Sequence, residues 1–72
     1  MEAESIALKL AGRIRNLRKE YNYTQQKLSE MADIDYKHIQ LIESKNPPYV
    51  KLDTLEKLAK AFKMKPSKLL EF

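Results

Sequence analysis

Cysteine is absent from this 72-residue chain, which excludes disulfides and thiolate metal sites as supports for the fold. The single histidine, His38, cannot hold a metal ion by itself. No apolar run approaches the roughly 18 residues that a membrane-spanning helix needs. The first residues, Met1 to Glu4, are acidic and lack the basic start of a secretion signal. We therefore expect a cytoplasmic protein that uses no metal, no other cofactor and no membrane.

Glycine and proline are also scarce: Gly12 is the only glycine, and the three prolines are Pro47, Pro48 and Pro66. Alternating runs of β-branched residues, which mark strands, do not occur. Apolar residues recur instead at three- and four-residue steps, as they do in amphipathic helices. The sequence therefore predicts an all-α fold, in which five short helices surround one core and residues 1–72 form a single domain. A domain of this size buries only about 60% of the surface that its unfolded chain exposes.

Two helices are expected in the first half of the chain. The first ends near Asn22, because asparagine tolerates the left-handed conformation that terminates helices. Thr24 is a good N-cap for the second, which turns Leu28, Met31 and Ala32 inward. The predicted apolar stripe of the first helix consists of Ile6, Leu10, Ile14, Leu17 and Tyr21.

Three further helices are expected after Asp33, which can adopt the left-handed conformation of a tight turn. Asp35 is the expected N-cap of the third helix, and Ile39 and Ile42 are its inward residues. The prolines at 47 and 48 interrupt helical structure. A fourth helix should run from about Leu52 to Lys63, and Pro66 suits the first position of a short fifth one. Its inward residue is Leu69, Leu70 or both.

The second and third helices, over about residues 24–43, carry the most informative pattern. The turn Ala32-Asp33-Ile34 is short enough to make the two helices cross steeply, as in a helix-turn-helix. The third helix, about residues 35–43, then presents a face with hydrogen-bond donors, acceptors and apolar groups, which is what reading the major groove of DNA requires. That face consists of Tyr36, Lys37, Gln40 and Leu41, with His38 at its flank. Two alternatives stay open: His38 packs on the neighbouring turn, and Leu41 belongs to the core.

From about Leu10 to Leu70, the chain resembles the Cro/cI-type helix-turn-helix regulators of phages and bacteria. The matching stretches are Arg13 to Glu20, Tyr23 to Ser29, Ile39 to Glu43 and Leu52 to Ala59. The resemblance implies the lambda-repressor-like DNA-binding fold and a regulator, repressor or activator, that binds a palindromic operator as a dimer. In its small size the chain is similar to phage Cro proteins and restriction–modification controller proteins, and antitoxins of the same fold are an alternative.

The resemblance also implies roles for individual residues. Tyr36, Lys37, Gln40, Leu41 and His38 would contact bases. Thr24, Gln25, Ser44, Asn46 and Lys51 would contact phosphates, and Arg18 would pair with Glu43 to join the first helix to the end of the third. Where the family commonly has glycine, this chain has Asn22, Asp33 and Lys45.

Self-association is expected near the C-terminal end. The apolar residues there are Tyr49, Val50, Leu69, Leu70 and Phe72. They either complete the core or pair across a two-fold axis as a dimer interface.

An enzyme is not expected, because the chain has no Ser/His/Asp set, no glycine-rich phosphate loop and no metal-ligand cluster. The net charge of +4 favours a polyanionic partner only weakly. Glu30, Asp33 and Asp35 leave open a contact with RNA polymerase, although surface acids are usually just solvated. A protein-interaction module, such as an antitoxin, is the alternative to a DNA-binding regulator.

Overall fold

The computed structural model describes residues 5–72. Met1 to Glu4, whose acidic character entered the prediction of location, lie outside the described residues. Five helices and no strand occur between residues 5 and 72, which confirms the all-α prediction. The helices are α1 (Ile6–Glu20), α2 (Gln25–Ala32), α3 (Tyr36–Ile42), α4 (Leu52–Ala61) and α5 (Pro66–Leu69).

The core lies where one face of α1 meets α2 to α5. Its largest fully buried side chains are Ile14, Leu28, Ile39, Ile42, Leu58, Phe62 and Leu69. Tyr21 and Tyr23 pack their rings against Phe62, at centroid distances of 5.3 and 6.0 Å. Helices α2 to α5 are each ten residues long or shorter, which is too short to be stable alone, so their positions depend on this packing.

Three predicted inward residues are exposed, and the prediction was wrong for each. Ile6 belongs to the first turn of α1, where it lines a surface groove and not the core. Tyr21 lies just after the end of α1, so its ring covers the edge of Phe62 and stays open to solvent. In α2, Ser29 takes the third inward position beside Leu28 and Ala32, which turns Met31 outward.

The ends of α1 and α2 follow the predicted geometry. Asn22 and Asp33 adopt left-handed conformations, with φ of 57° and 56°. The amide of Ile34 donates to Ser29 O at 3.0 Å, and that of Tyr23 donates to Arg18 O at 2.8 Å. Asp35 is the N-cap residue of α3, as predicted, although its side chain makes no capping hydrogen bond.

The second half of the chain departs from expectation at Lys63. Helix α4 ends at Ala61, two residues early, because Lys63 takes a left-handed conformation with φ of 57°. Lys45, at a position where the resemblance implies glycine, does not have a positive φ. No helix among residues 5–72 is long and apolar enough to cross a membrane.

Candidate nucleic-acid interface

The helix-turn-helix is built from α2, the turn after it and α3. Thr24 caps α2, because its Oγ1 accepts a hydrogen bond from the Lys27 amide at 2.9 Å. Ile34, in the turn, is buried, and α2 packs against both α3 and α4. These contacts fix α3 relative to α2 through apolar packing and one tight backbone turn.

One face of α3 is buried and the opposite face is exposed. Ile39 and Ile42 turn into the core, whereas Lys37 and Gln40 are exposed. Tyr36 is 43% exposed and Leu41 is 55% exposed, so Leu41 is not part of the core. The four exposed residues lie at positions i, i+1, i+4 and i+5 and therefore share one helical face. His38 is half-buried at the edge of this face.

Glu43 lies directly after α3. Among residues 5–72, it is the one charged residue that is buried. Its side chain is 2% exposed and forms an ion pair with Arg18, whose Nε donates to Oε2 at 2.8 Å. A second nitrogen of Arg18, Nη2, donates to Oε1 at 3.1 Å. The same Oε1 accepts a hydrogen bond from Gln25 Nε2 at 3.1 Å. Three donated hydrogen bonds thus compensate the burial of one carboxylate.

The links made by Gln25 and Arg15 to Glu43 were missed in the sequence. Arg15 Nη1 donates to the backbone oxygen of Glu43 at 2.7 Å. Arg15 and Arg18 are three residues apart on α1, so they lie close together on the helix surface. That spacing was the available signal, but the contact itself depends on how α1 and α3 pack.

The predicted phosphate-contacting residues differ in the donors they offer. Thr24 is exposed, and its hydroxyl accepts the capping bond while its own proton remains a donor. Gln25 keeps a second Nε2 proton beside the one given to Glu43. Asn46 and Lys51 are exposed in the segment before α4. The Ser44 hydroxyl and amide both donate to Leu41 O, at 2.6 and 3.1 Å, so Ser44 offers no donor to a phosphate in this conformation.

The predicted dimer residues do not form one surface. Leu69 is completely buried, so its assignment to the interface is wrong: α5 is one turn long and turns this side chain into the core. Phe72 is exposed but lines a groove beside α1 with Leu8 and Gly12. The remaining three residues border an apolar groove of about 160 Å³. Its lining is Ile6, Ala7, Leu10, Pro48, Tyr49, Val50, Leu55 and Leu70.

Between residues 5 and 72, no three His, Cys, Asp or Glu side chains come together at a spacing that could hold a metal ion. The site therefore consists of an exposed helical face, flanking donors and a buried polar cluster beneath. Such an arrangement can form hydrogen bonds and ion pairs with a polyanion that fits along α3.

Comparison with known proteins places this arrangement in context. Residues 13–72 match the Cro/C1-type helix-turn-helix DNA-binding domain family. The crystal structure of the restriction–modification controller protein C.AhdI from Aeromonas hydrophila superposes with a TM-score of 0.80. It is 27% identical in sequence, and the match covers 88% of this chain and 94% of that chain. The comparison with curated proteins finds no match.

Proposed function

Because the chain belongs to the Cro/C1-type helix-turn-helix family of DNA-binding proteins, we propose that it is a sequence-specific transcriptional regulator. It acts as a homodimer on a palindromic operator, with α3 of each copy in the major groove. The observation that carries this proposal is the exposed face of α3 with Tyr36, Lys37, Gln40 and Leu41. Residues 1–72 act as a single DNA-binding domain in the cytoplasm, with no catalytic activity.

The chemistry of α3 suits base edges. Lys37 can donate to O6 and N7 of guanine, and Gln40 can pair with the N6 and N7 positions of adenine. Leu41 offers an apolar contact to the methyl group of thymine. Tyr36 stands at the start of the helix, where it reaches the neighbouring base or phosphate. His38, half-buried at the edge, adds one more contact at the groove wall.

Phosphate contacts flank the reader helix on both sides. Thr24 and Gln25 lie at the N-terminus of α2, where backbone amides without helical partners favour an anion. Asn46 and Lys51 hold the phosphates on the other side of α3. Ser44 joins them only if its hydroxyl leaves Leu41 O. These contacts position the domain, while the α3 side chains specify the sequence.

Dimerisation uses the apolar groove beside Tyr49. Tyr49 is 81% exposed, which is unusual for a tyrosine that completes a core. Val50 and Leu70 continue the surface, and Ile6 extends it towards α1. Phe72 lies in the separate groove beside Leu8 and Gly12 and is therefore left out of this interface. A two-fold axis through this groove lets the same residues of both copies pack on each other.

Selection from a random pool of double-stranded DNA tests the proposal. We expect the bound sequences to share a palindrome whose half-sites lie about one helical turn, roughly 34 Å, apart. The selected sequence then identifies the operator, and reporter assays with it decide between repression and activation. Acidic Glu30, Asp33 and Asp35 are the residues to test for a contact with RNA polymerase. A pool that gains no common sequence would contradict the proposal.

The exposed apolar groove also favours a second candidate, a module that binds a protein such as a toxin. Salt dependence separates the two. For a DNA complex, the logarithm of the affinity falls by about 0.9 per neutralised phosphate for each tenfold rise in salt. Binding through apolar contacts changes far less over the same range. This alternative would be favoured if a protein partner bound with little dependence on salt and if no common DNA sequence were selected from the random pool.

A further inference from the structure

Helix α3 has few means of holding its own position. It is seven residues long, and no side chain caps its N-terminus. A helix of this length is not stable by itself in water. Its placement therefore depends on the packing of Ile39 and Ile42 and on the hydrogen bonds made to the next residue, Glu43.

Glu43 is held at two separate places. Its carboxylate binds Arg18 and Gln25, and its backbone oxygen binds Arg15 Nη1 at 2.7 Å. A side chain held only through its carboxylate can still let the backbone pivot about the side-chain torsions. The second bond removes this freedom, because it fixes the main chain directly at the end of α3.

We propose that Arg15 is a positioning residue for the reader helix: it fixes the C-terminal end of α3 from α1 and thereby sharpens discrimination between operator and other DNA. This inference rests on the proposed function. The bond is charge-assisted, since a guanidinium donates to a carbonyl that has no helical partner. Its positive charge also suits the C-terminal end of a helix. Arg15 acts through Glu43 and needs no contact with the DNA.

Hydrogen exchange of the DNA-free protein tests the structural half of the proposal. In Arg15→Ala, we expect the amides of Glu43 and Ser44 to exchange about threefold faster or more, whereas the Leu28 amide in α2 stays unchanged. Arg15→Lys retains a donor and should restore part of the protection. Lys9→Ala removes one positive charge from the exposed surface of α1 and is the matched control. Unchanged exchange at Glu43 and Ser44 in Arg15→Ala would overturn the proposal.

DNA binding tests the functional half, with the selected duplex and a scrambled duplex of equal length as probes. For Arg15→Ala, we expect the affinity ratio between them to fall about threefold to tenfold, with the salt dependence of binding unchanged. Lys9→Ala should leave the ratio at its original value. A lower salt slope with an unchanged ratio would mean that Arg15 binds a phosphate, and would overturn the inference. If the original chain does not discriminate between the duplexes, the proposed function fails, and hydrogen exchange alone decides the role of Arg15.

Discussion

At the scale of single residues, the burial of Glu43 organises the candidate site. A carboxylate that is 2% exposed is strongly destabilised unless several donors replace water. Arg18 supplies two and Gln25 one, so a residue of α1 and the first residue of α2 meet at the end of α3. The cluster therefore specifies how three helices meet, and such a buried ion pair contributes more to geometry than to net stability.

Removing the charge of Arg18 and removing that of Glu43 should lower the unfolding free energy by different amounts. Arg18→Ala leaves the buried Glu43 carboxylate with Gln25 as its remaining side-chain partner, and should cost about 3–5 kcal/mol of unfolding free energy. Glu43→Gln leaves Arg18 without its anion, but Arg18 is 17% exposed and still donates to Tyr23 O. We expect that change to cost about 1–3 kcal/mol. Urea unfolding measures both values.

The larger of these losses is serious for a chain of this size, whose total stability is about 4–11 kcal/mol. Lys9→Ala, on the exposed surface of α1, is the control and should change the stability by no more than about 0.5 kcal/mol. A loss below 1 kcal/mol for Arg18→Ala would show that water or another cation compensates Glu43, contrary to the structure.

Some of these residue contacts could be predicted and others could not. The resemblance to the family predicts the pair of Arg18 and Glu43, and the structure contains it. The bonds from Gln25 and Arg15 depend on rotamers and on the packing of α1 against α3, which no local pattern encodes. The resemblance predicts a phosphate contact for the Ser44 hydroxyl, but this hydroxyl donates its hydrogen bond to the backbone oxygen of Leu41.

At the scale of elements, three helices end in the same way. After α1, α2 and α4, a residue with positive φ donates its amide three residues back, and the next residue donates five residues back. This is the Schellman motif, in which glycine is most common because the conformation crowds Cβ. Here Asn22, Asp33 and Lys63 take the position. Asparagine and aspartate tolerate it, but lysine does so at a cost.

Lys63→Gly should therefore stabilise the protein, by about 0.5–1 kcal/mol, because it relieves the left-handed strain at the end of α4. Asn22→Gly is the matched control, and we expect a gain of only a few tenths of a kcal/mol, about the size of its smaller strain. Chemical unfolding of both variants gives the comparison. An equal or larger gain for Asn22→Gly would contradict this explanation of the end of α4.

Helix periodicity predicted the number, order and approximate bounds of the helices. It misjudged the last residues of α4, because Lys63 carries no sequence signal for a helix end. It also placed Met31 in the core, since three- and four-residue steps do not distinguish Met31 from Ser29 in a helix of eight residues. Tertiary contacts decide which face of such a short helix is buried.

At the scale of the whole molecule, the apolar groove and the α3 face serve different tasks. Side chains of α1, α4, the segment before α4 and the residue after α5 line the groove, so it is assembled only when the fold is complete. This explains why the sequence indicated an apolar C-terminal region but included Leu69, which is buried, and omitted Ile6. Under the proposed function, the groove joins two copies so that each presents α3 to one half-site.

The double variant Tyr49→Ala, Leu70→Ala should weaken self-association. Exposed aromatic anchors often account for about 2 kcal/mol or more of an interface, so we expect the dimer dissociation constant to rise at least about thirtyfold. Analytical ultracentrifugation measures it. Met31→Ala removes an exposed apolar side chain of α2, which does not line the groove, and is the control. If the unmutated protein sedimented as a monomer both with and without DNA, this result would contradict the proposed dimer.

The central claim is that α3 reads bases through its exposed face. The direct test is the affinity ratio between the selected duplex and a scrambled one, measured for Lys37→Ala, Gln40→Ala and the phosphate-side control Lys51→Ala. We predict that each of the first two variants lowers the ratio about 5- to 150-fold, which corresponds to about 1–3 kcal/mol of discrimination, because each loses a base contact. Lys51→Ala should weaken both complexes equally and leave the ratio unchanged. Equal losses on both duplexes for all three variants would contradict the claim.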